Sequence, residues 1–527
     1  MNLRRVQAIL LALTLGTTVV GCGASSSETT GNNVATSESG EDRDEDVLVY
    51  GSGDYEQINP ALTEHGEINS LIFSGLTAHN EENEVVPCLA KGWEYDEETH
   101  TYTFNLRDDV LWHDGEKFTA EDVKFTIESI LNPDNQSEIV SNYEDITNIE
   151  IVDDYTIKLT LEDKNVAILD YLTVGVIPKH LLEGKDLTTD SFNQNPVGTG
   201  PFKLESWDMG QSITLVKNED YFNGEVGLEK VIFKIVEDDS ARVLQLKSGE
   251  LDLAQVTAKD IETFKNNDDF DVNILKTADY RGIMYNFTKA LFKDNEELPN
   301  ALSYAIDREA IVKSVLLGYG EAAYSPLQMG DYNNSDMEKF EYNPEEARRE
   351  LKENGWILNG DGIYEKNGTP LAFEIICMEG DQVRIDMANI CAQQLGEVGA
   401  KVTVRVEANV DWDNEDSYLV GWGSPFDPDD HTYKVFKTGE ASNYNSYSNS
   451  EVDELLTKAR QTNDFNERLE YYKEFQDELT DDMPYTFIAY IDAIYVGDSN
   501  ISGISEETVL GHHGVGIFWN IAQWTMD

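Results

Sequence analysis

The segment LIFSGLTAHNEENEVVPCLAKGWEYDEETHTYTFNLRDDVLWHDGEKFTAEDVKFTI, Leu71 to Ile127, changes its hydrophobic period partway along. Within His100–Gly115, Tyr102, Phe104 and Leu106 alternate with polar residues, as in a half-buried strand. From Thr119 the spacing becomes helical in TAEDVKFTIESIL, with Thr119 as N-cap and Asp122 three residues on. Strand, turn and helix in one stretch predict a mixed α/β chain.

The same grammar continues outward. DVLVYG (Asp46–Gly51), DDYTIKLTLE (Asp153–Glu162) and QSITLVKN (Gln211–Asn218) read as strands. NPEEARRELKENGW is a punctuated helix: Asn343 caps it, Pro344 takes the first position and Gly355 ends it. DMANICAQQLGEVGAKVTVRVE, Asp386 to Glu407, is a helix followed by a strand.

At 527 residues the chain exceeds one compact domain, and two or three are expected. It holds 39 Lys and Arg against 101 Asp and Glu, a formal charge of −62, which repels phosphate backbones and excludes nucleic acid as a partner. Arg4 and Arg5 precede the apolar run VQAILLALTL (Val6–Leu15), too short to span a bilayer. VVGC, Val19–Cys22, resembles a bacterial lipobox, which assigns residues 1–21 to a signal peptide and lipid attachment to Cys22. Residues 22–46 then form a polar tether with a reach of about 25–30 Å. Cys88, Cys377 and Cys391 form no C-x-x-C pair and read as buried free thiols. No G-x-S-x-G, H-E-x-x-H or Walker motif is present, so an enzyme is not expected. Trp112, beside His113, reads as a half-buried edge aromatic.

Five segments in order carry a family resemblance: the opening stretch, NPVGTGPFKLESWDMGQSITLVKNEDYF (Asn195–Phe222), LQLKSGELDLA (Leu244–Ala254), ALSYAIDREAIV (Ala301–Val312) and NPEEARRELKENGW. Together they resemble the extracytoplasmic solute-binding proteins of the peptide/nickel class, solute-binding protein family 5 of ABC importers. The resemblance implies an α/β, two-lobed clamshell of the periplasmic-binding-protein type (class II, large peptide-binder form) with an extra inserted subdomain. Lobe I would comprise 47–278 and 485–527, with the insertion at about 77–194, and lobe II 279–484. Chain crossings near Tyr280–Asn286 and Pro484–Tyr490 would form the hinge. It further implies a monomer without a cofactor, lipid-anchored on the extracytoplasmic face of the cytoplasmic membrane. There it would deliver cargo to a permease and its ATPase subunits.

The cargo reading centres on GWGSPFDPDD, Gly421–Asp430. By resemblance, Trp422, Phe426 and Asp427 would form one cleft wall, faced by Tyr50 and Ser52, with Arg281 and Asn286 near the hinge as polar contacts. Tyr444 and Tyr447 are further aromatic candidates. Peptide-binding relatives anchor the ligand amine on an aspartate three residues after this tryptophan; here Pro425 stands there and the aspartate is Asp427. WGSPFDP also resembles the nickel-chelate binders, although no arginine lies between Arg107 and Arg242 to hold a chelate's carboxylates. Candidate metal-binding histidines are His431, His512 and His513. A short peptide is the leading expectation for cargo, a nickel or other transition-metal chelate the alternative, and an interaction lipoprotein with a vestigial cleft the third reading. Asp429 or Asp430 is expected to cap the helix that follows.

Overall fold

The structure is a computed structural model that describes residues 46–63, 66–412 and 414–526. The expected signal peptide, Cys22 and the tether up to residue 45 lie outside the described residues.

Strand Val47–Ser52 lies inside a seven-stranded sheet, parallel to Lys230–Ile235 on one side and Leu253–Gln255 on the other. Its near-continuous apolar run suits a strand covered on both faces. Helix Asp239–Lys247 separates Lys230–Ile235 from Leu253–Gln255 in sequence, and the Asp238 side chain caps it by accepting from Ala241 N. Ser212–Lys217 and Phe202–Asp208 extend the sheet on one side, Ala493–Asp498 and Phe270–Leu275 on the other.

Between Val47–Ser52 and Phe202–Asp208 the chain builds a separate four-stranded antiparallel sheet. Its inner strands, Thr101–Leu106 and Thr156–Leu161, bury Tyr102, Phe104 and Leu106 with Ile157, Leu159 and Leu161, the alternation expected from the sequence. Helix Ala120–Leu131 follows with the Thr119/Asp122 capping box formed. Trp112 departs from expectation: it is fully buried rather than at an edge. The neighbouring His113 is tied on both ring nitrogens to the backbone of Gly198 and Gly200, and burial pushes its pKa down to about 4.

A six-stranded sheet organises the second half. Tyr280–Tyr285 runs antiparallel between Ser417–Trp422 and Tyr485–Ile491. Ala372–Met378 and Lys401–Glu407 pair in parallel, with helix Gln382–Glu397 between them in sequence. Helix Pro344–Glu353 has the expected cap, Asn343 accepting from Glu346 N. Cys377 and Cys391 are buried free thiols, and Cys88 is a partly buried one.

The chain passes from the first sheet to the second across 276–279, between Phe270–Leu275 and Tyr280–Tyr285. It returns at Asp492, between Tyr485–Ile491 and Ala493–Asp498. Before the return, Tyr485–Ile491 pairs with Tyr280–Tyr285. Thr277 Oγ1 donates to Ile491 O at 2.6 Å, and Ile491 N donates to Asp279 O at 3.1 Å, so the two crossings are bonded to each other. Ala278 N to Leu510 O and Leu510 N to Lys276 O, both 2.8 Å, bring a third segment to the same place. No helix among the described residues is long and apolar enough to cross a membrane.

Candidate functional site

Leu510 leads into Gly511–Gly514, so the backbone bonds at the crossing position the His512–His513 pair. His513 adopts a left-handed backbone (φ 59°), and the two imidazole centroids are 3.9 Å apart. Asp279 holds the turn: its Oδ1 is 2.8 Å from His512 Nδ1, and its Oδ2 accepts from His513 N at 3.0 Å. Arg281 donates to the same carboxylate. Burial alone would raise the Asp279 pKa, but Arg281 and His512 outweigh it and hold the group ionised, well below the usual carboxylate range. An ionised carboxylate only accepts, so His512 donates its Nδ1 proton to Asp279.

The turn has further supports. Gln255 Nε2 donates to His513 O at 3.2 Å, Tyr495 OH donates to Gly514 O at 3.1 Å, and Gly516 N donates to Glu67 Oε1 at 3.0 Å. Gly421 and Gly423, on either side of Trp422, make room for the charge cluster. A Cβ on Gly421 would lie 2.0 Å from Arg281 Nη1, and one on Gly423 would lie 2.0 Å from Ala278 O. Behind Arg281, Asp381 lies 3.9 Å from Arg281 Nη2 and 3.2 Å from Arg384 Nε.

His513 faces a cavity of about 520 Å³ at the carboxyl end of Val47–Ser52. Ligands of open α/β sheets bind at the carboxyl ends of parallel strands. Tyr50 and Ser52 line this cavity with Tyr495 and Glu67, and not the one that Phe426 and Asp427 line. Tyr50 is wedged edge-on between Phe233 and Phe518, with centroids 5.4 and 5.0 Å away. The His513 ring opens to the cavity yet is packed round by protein, which together with His512 pushes its pKa down to about 3. It is therefore neutral at pH 7, the form that ligates metals.

The other expected site residues are placed elsewhere. Trp422 ends strand Ser417–Trp422 and packs on Tyr444, which stacks on Trp412 at 4.9 Å; Tyr447 is buried. Phe426 lines a second cavity of about 360 Å³ and stacks face to face on His79, with centroids 3.7 Å apart and planes 6° apart. Asp427 also touches that cavity, but its carboxylate is gripped from both oxygens by Arg468 at 2.5 and 2.6 Å. It also accepts from Asp429 N at 2.9 Å; the N-cap position of the helix is Pro428, so neither Asp429 nor Asp430 caps it as expected. Asp429 instead lies inside helix Asp429–Phe436, paired with Arg460 and accepting from Tyr171 OH. Arg281 is a buried partner of Asp279. The Asn286 side chain is engaged with Glu415 O and Thr288, where it pins a loop. His431 is buried with Nε2 on Pro326 O, beside the second cavity and apart from the histidine pair.

Asp279 and Glu67 were not visible in the sequence as site residues. Each meets the histidine turn across more than two hundred positions, and an abundance of acids hides any two of them. Among the described residues no group of three or more His, Cys, Asp or Glu is arranged to hold a metal ion by itself.

Comparison with known proteins agrees with this architecture. Residues 84–444 match the model for bacterial extracellular solute-binding proteins, family 5 Middle. The oligopeptide-binding protein AppA of Bacillus subtilis is 31% identical, with 99% of each chain covered. NikZ of Campylobacter jejuni, solved with Ni(L-His), is 39% identical with a TM-score of 0.84 over 91% of this chain and 99% of that one. AppA solved with a nonapeptide has 30% identity and a TM-score of 0.80, over 91% of this chain and 99% of that one.

Proposed function

Because the chain belongs to the family 5 solute-binding proteins of ABC importers, we propose that it captures a nickel complex carried by a small organic chelator and delivers it to a permease. The observation that carries this reading is His513 on the wall of the Tyr50–Ser52 cavity, with His512 packed beside it and Asp279 bonded to both residues. A carboxylate on the far nitrogen of a histidine is the usual support of a metal-ligating imidazole, because it fixes the tautomer and raises basicity. Two imidazoles do not complete a nickel coordination sphere, so the remaining donors come with the cargo, which favours a chelate over a bare ion. The similarity to NikZ, which holds Ni(L-His), supports the same class of cargo.

A short peptide is the second reading, favoured by the similarity to AppA and its nonapeptide complex. Against it stands the loop after Trp422: Pro425 replaces the anchoring aspartate expected from the resemblance, and Asp427 is neutralised by Arg468. Capture would proceed by closure about the crossings at 276–279 and Asp492, the loaded form being selected from a two-state equilibrium. The lobes are 47–278 with the C-terminal strands, and 279 to the return crossing, with the insertion at about 77–194. Cys22 carries the lipid that holds the protein at the outer face of the cytoplasmic membrane, and binding and delivery involve no catalysis.

Elemental analysis and mass spectrometry of the natively expressed protein, with calorimetric titration of Ni²⁺ plus L-histidine, test the proposal. Nickel at one equivalent, lost in His512→Ala/His513→Ala, is the expected result. A ladder of short peptides without metal overturns it.

A further inference from the structure

Glu67 is a carboxylate set into protein, and no lysine or arginine pairs with it among the described residues. Its Oε1 accepts from Gly516 N at 3.0 Å, and Ile517 N is its other backbone donor. Two neutral donors do not offset burial, which raises its pKa to about 7. The groups around it are phenols and acids. Tyr50, Tyr55 and Tyr495 feel its charge, and burial raises all three, Tyr55 to about 12. Asp54, Glu56 and Glu138 line the same cavity, which no lysine or arginine lines among the described residues. Arg242 acts on Tyr50 from outside the lining, and His513, the cavity's imidazole, is neutral.

A desolvated carboxylate without a counter-ion either takes up a proton or is stabilised by a cation that arrives beside it. Glu67 is bonded to Gly516, two residues beyond the histidine turn, so the missing charge belongs next to the place where the metal would sit. We propose that Glu67 is the charge-selecting residue of this cavity, making it a receptor for complexes of net positive charge and closing it to anionic chelates. This rests on the nickel-chelate reading and sharpens it. Nickel(II) with one histidinate carries a single net positive charge, whereas nickel with a polycarboxylate chelator is an anion. Binding a cation stabilises the ionised carboxylate, so part of a proton leaves Glu67 on binding near pH 7, and affinity falls as pH drops below that value.

The test is calorimetry on the full chain with two probes, Ni²⁺ premixed with equimolar L-histidine and Ni²⁺ premixed with EDTA. Titrations in two pH 7 buffers of different ionisation enthalpy count the protons released. Glu67→Gln keeps an oxygen for Gly516 N, and it is expected to weaken the histidine complex by about tenfold or more and to abolish Glu67's share of proton release. Glu67→Asp, which restores the charge, recovers part of both. The wild type is expected to bind the EDTA complex about a hundredfold more weakly than the histidine complex. Should Glu67→Gln fail to fold, the wild-type preference between the two probes and the Glu67→Asp proton count decide. Unchanged affinity and proton release in Glu67→Gln, or equal binding of both probes, overturns the role of Glu67 and leaves the nickel reading intact. If the wild type binds neither probe, the nickel reading falls and this inference falls with it.

Discussion

Asp279→Asn separates the two tasks assigned to one carboxylate. In the wild type the group neutralises buried Arg281 and orients His512 through Nδ1 at 2.8 Å. Removing one member of a buried ion pair costs about 3–5 kcal/mol, because the other charge is left uncompensated. The amide keeps the shape and one acceptor, and Asp381 stands 3.9 Å from Arg281 Nη2, so the lower end, about 3 kcal/mol, is expected. The Asp279 pKa is depressed in the folded state, so its contribution is complete above the unfolded value of about 3.9 and disappears as pH falls below it. The variant should therefore lower the urea midpoint at pH 7 and converge on the wild type in acid.

The second task has its own magnitude. Losing the partner of a metal-ligating histidine weakens metal binding by about 10–100-fold, and that is the expected loss for Ni²⁺ with L-histidine by calorimetry. Asp279→Asn/Arg281→Met removes both buried charges, so stability should recover while nickel affinity stays low. If the single variant leaves both midpoint and affinity unchanged, or if the double variant restores affinity, Asp279 does not link the two roles.

Asp427→Asn should destabilise the protein by about 3 kcal/mol, since Arg468 loses a buried bidentate partner. Its effect on cargo affinity should stay within a few-fold; complete loss of binding in a still-folded variant would restore Asp427 as a ligand anchor. Phe426→Ala removes the ring stacked on His79, an interaction of about 0.5–1.5 kcal/mol, so apparent affinity should fall by about two- to tenfold. His79→Ala should do the same, and the double variant should add nothing further; strictly additive losses would show that Phe426 acts on the cargo and not through His79.

Elements whose cause is local were legible. The alternation of Tyr102, Phe104 and Leu106, the Thr119/Asp122 box and the Asn343–Pro344 helix start all depend on neighbours a few positions apart. Tyr50 and Ser52 came from the family resemblance, and the structure places both on the wall of the first cavity. Asn286 and Asp427 share one difficulty: a polar side chain beside a hinge or a tryptophan has the same sequence signature whether it meets a ligand or another part of the chain. Only Arg468 and Glu415, remote in sequence, distinguish the two.

What the residues determine unaided is therefore the α/β class, the order of strands and helices, and the segments that mark the family, since periodicity and capping act over one or two turns. Tertiary structure alone decided that the chain returns at Asp492, that Gly421 and Gly423 yield space to Arg281 and Ala278, that Asp279 meets His512 and His513, and that Glu67 meets Gly516 just beyond them. Charge and hydrogen bonding act through space at about 3 Å, and only the folded sheets bring those carboxylates to one turn.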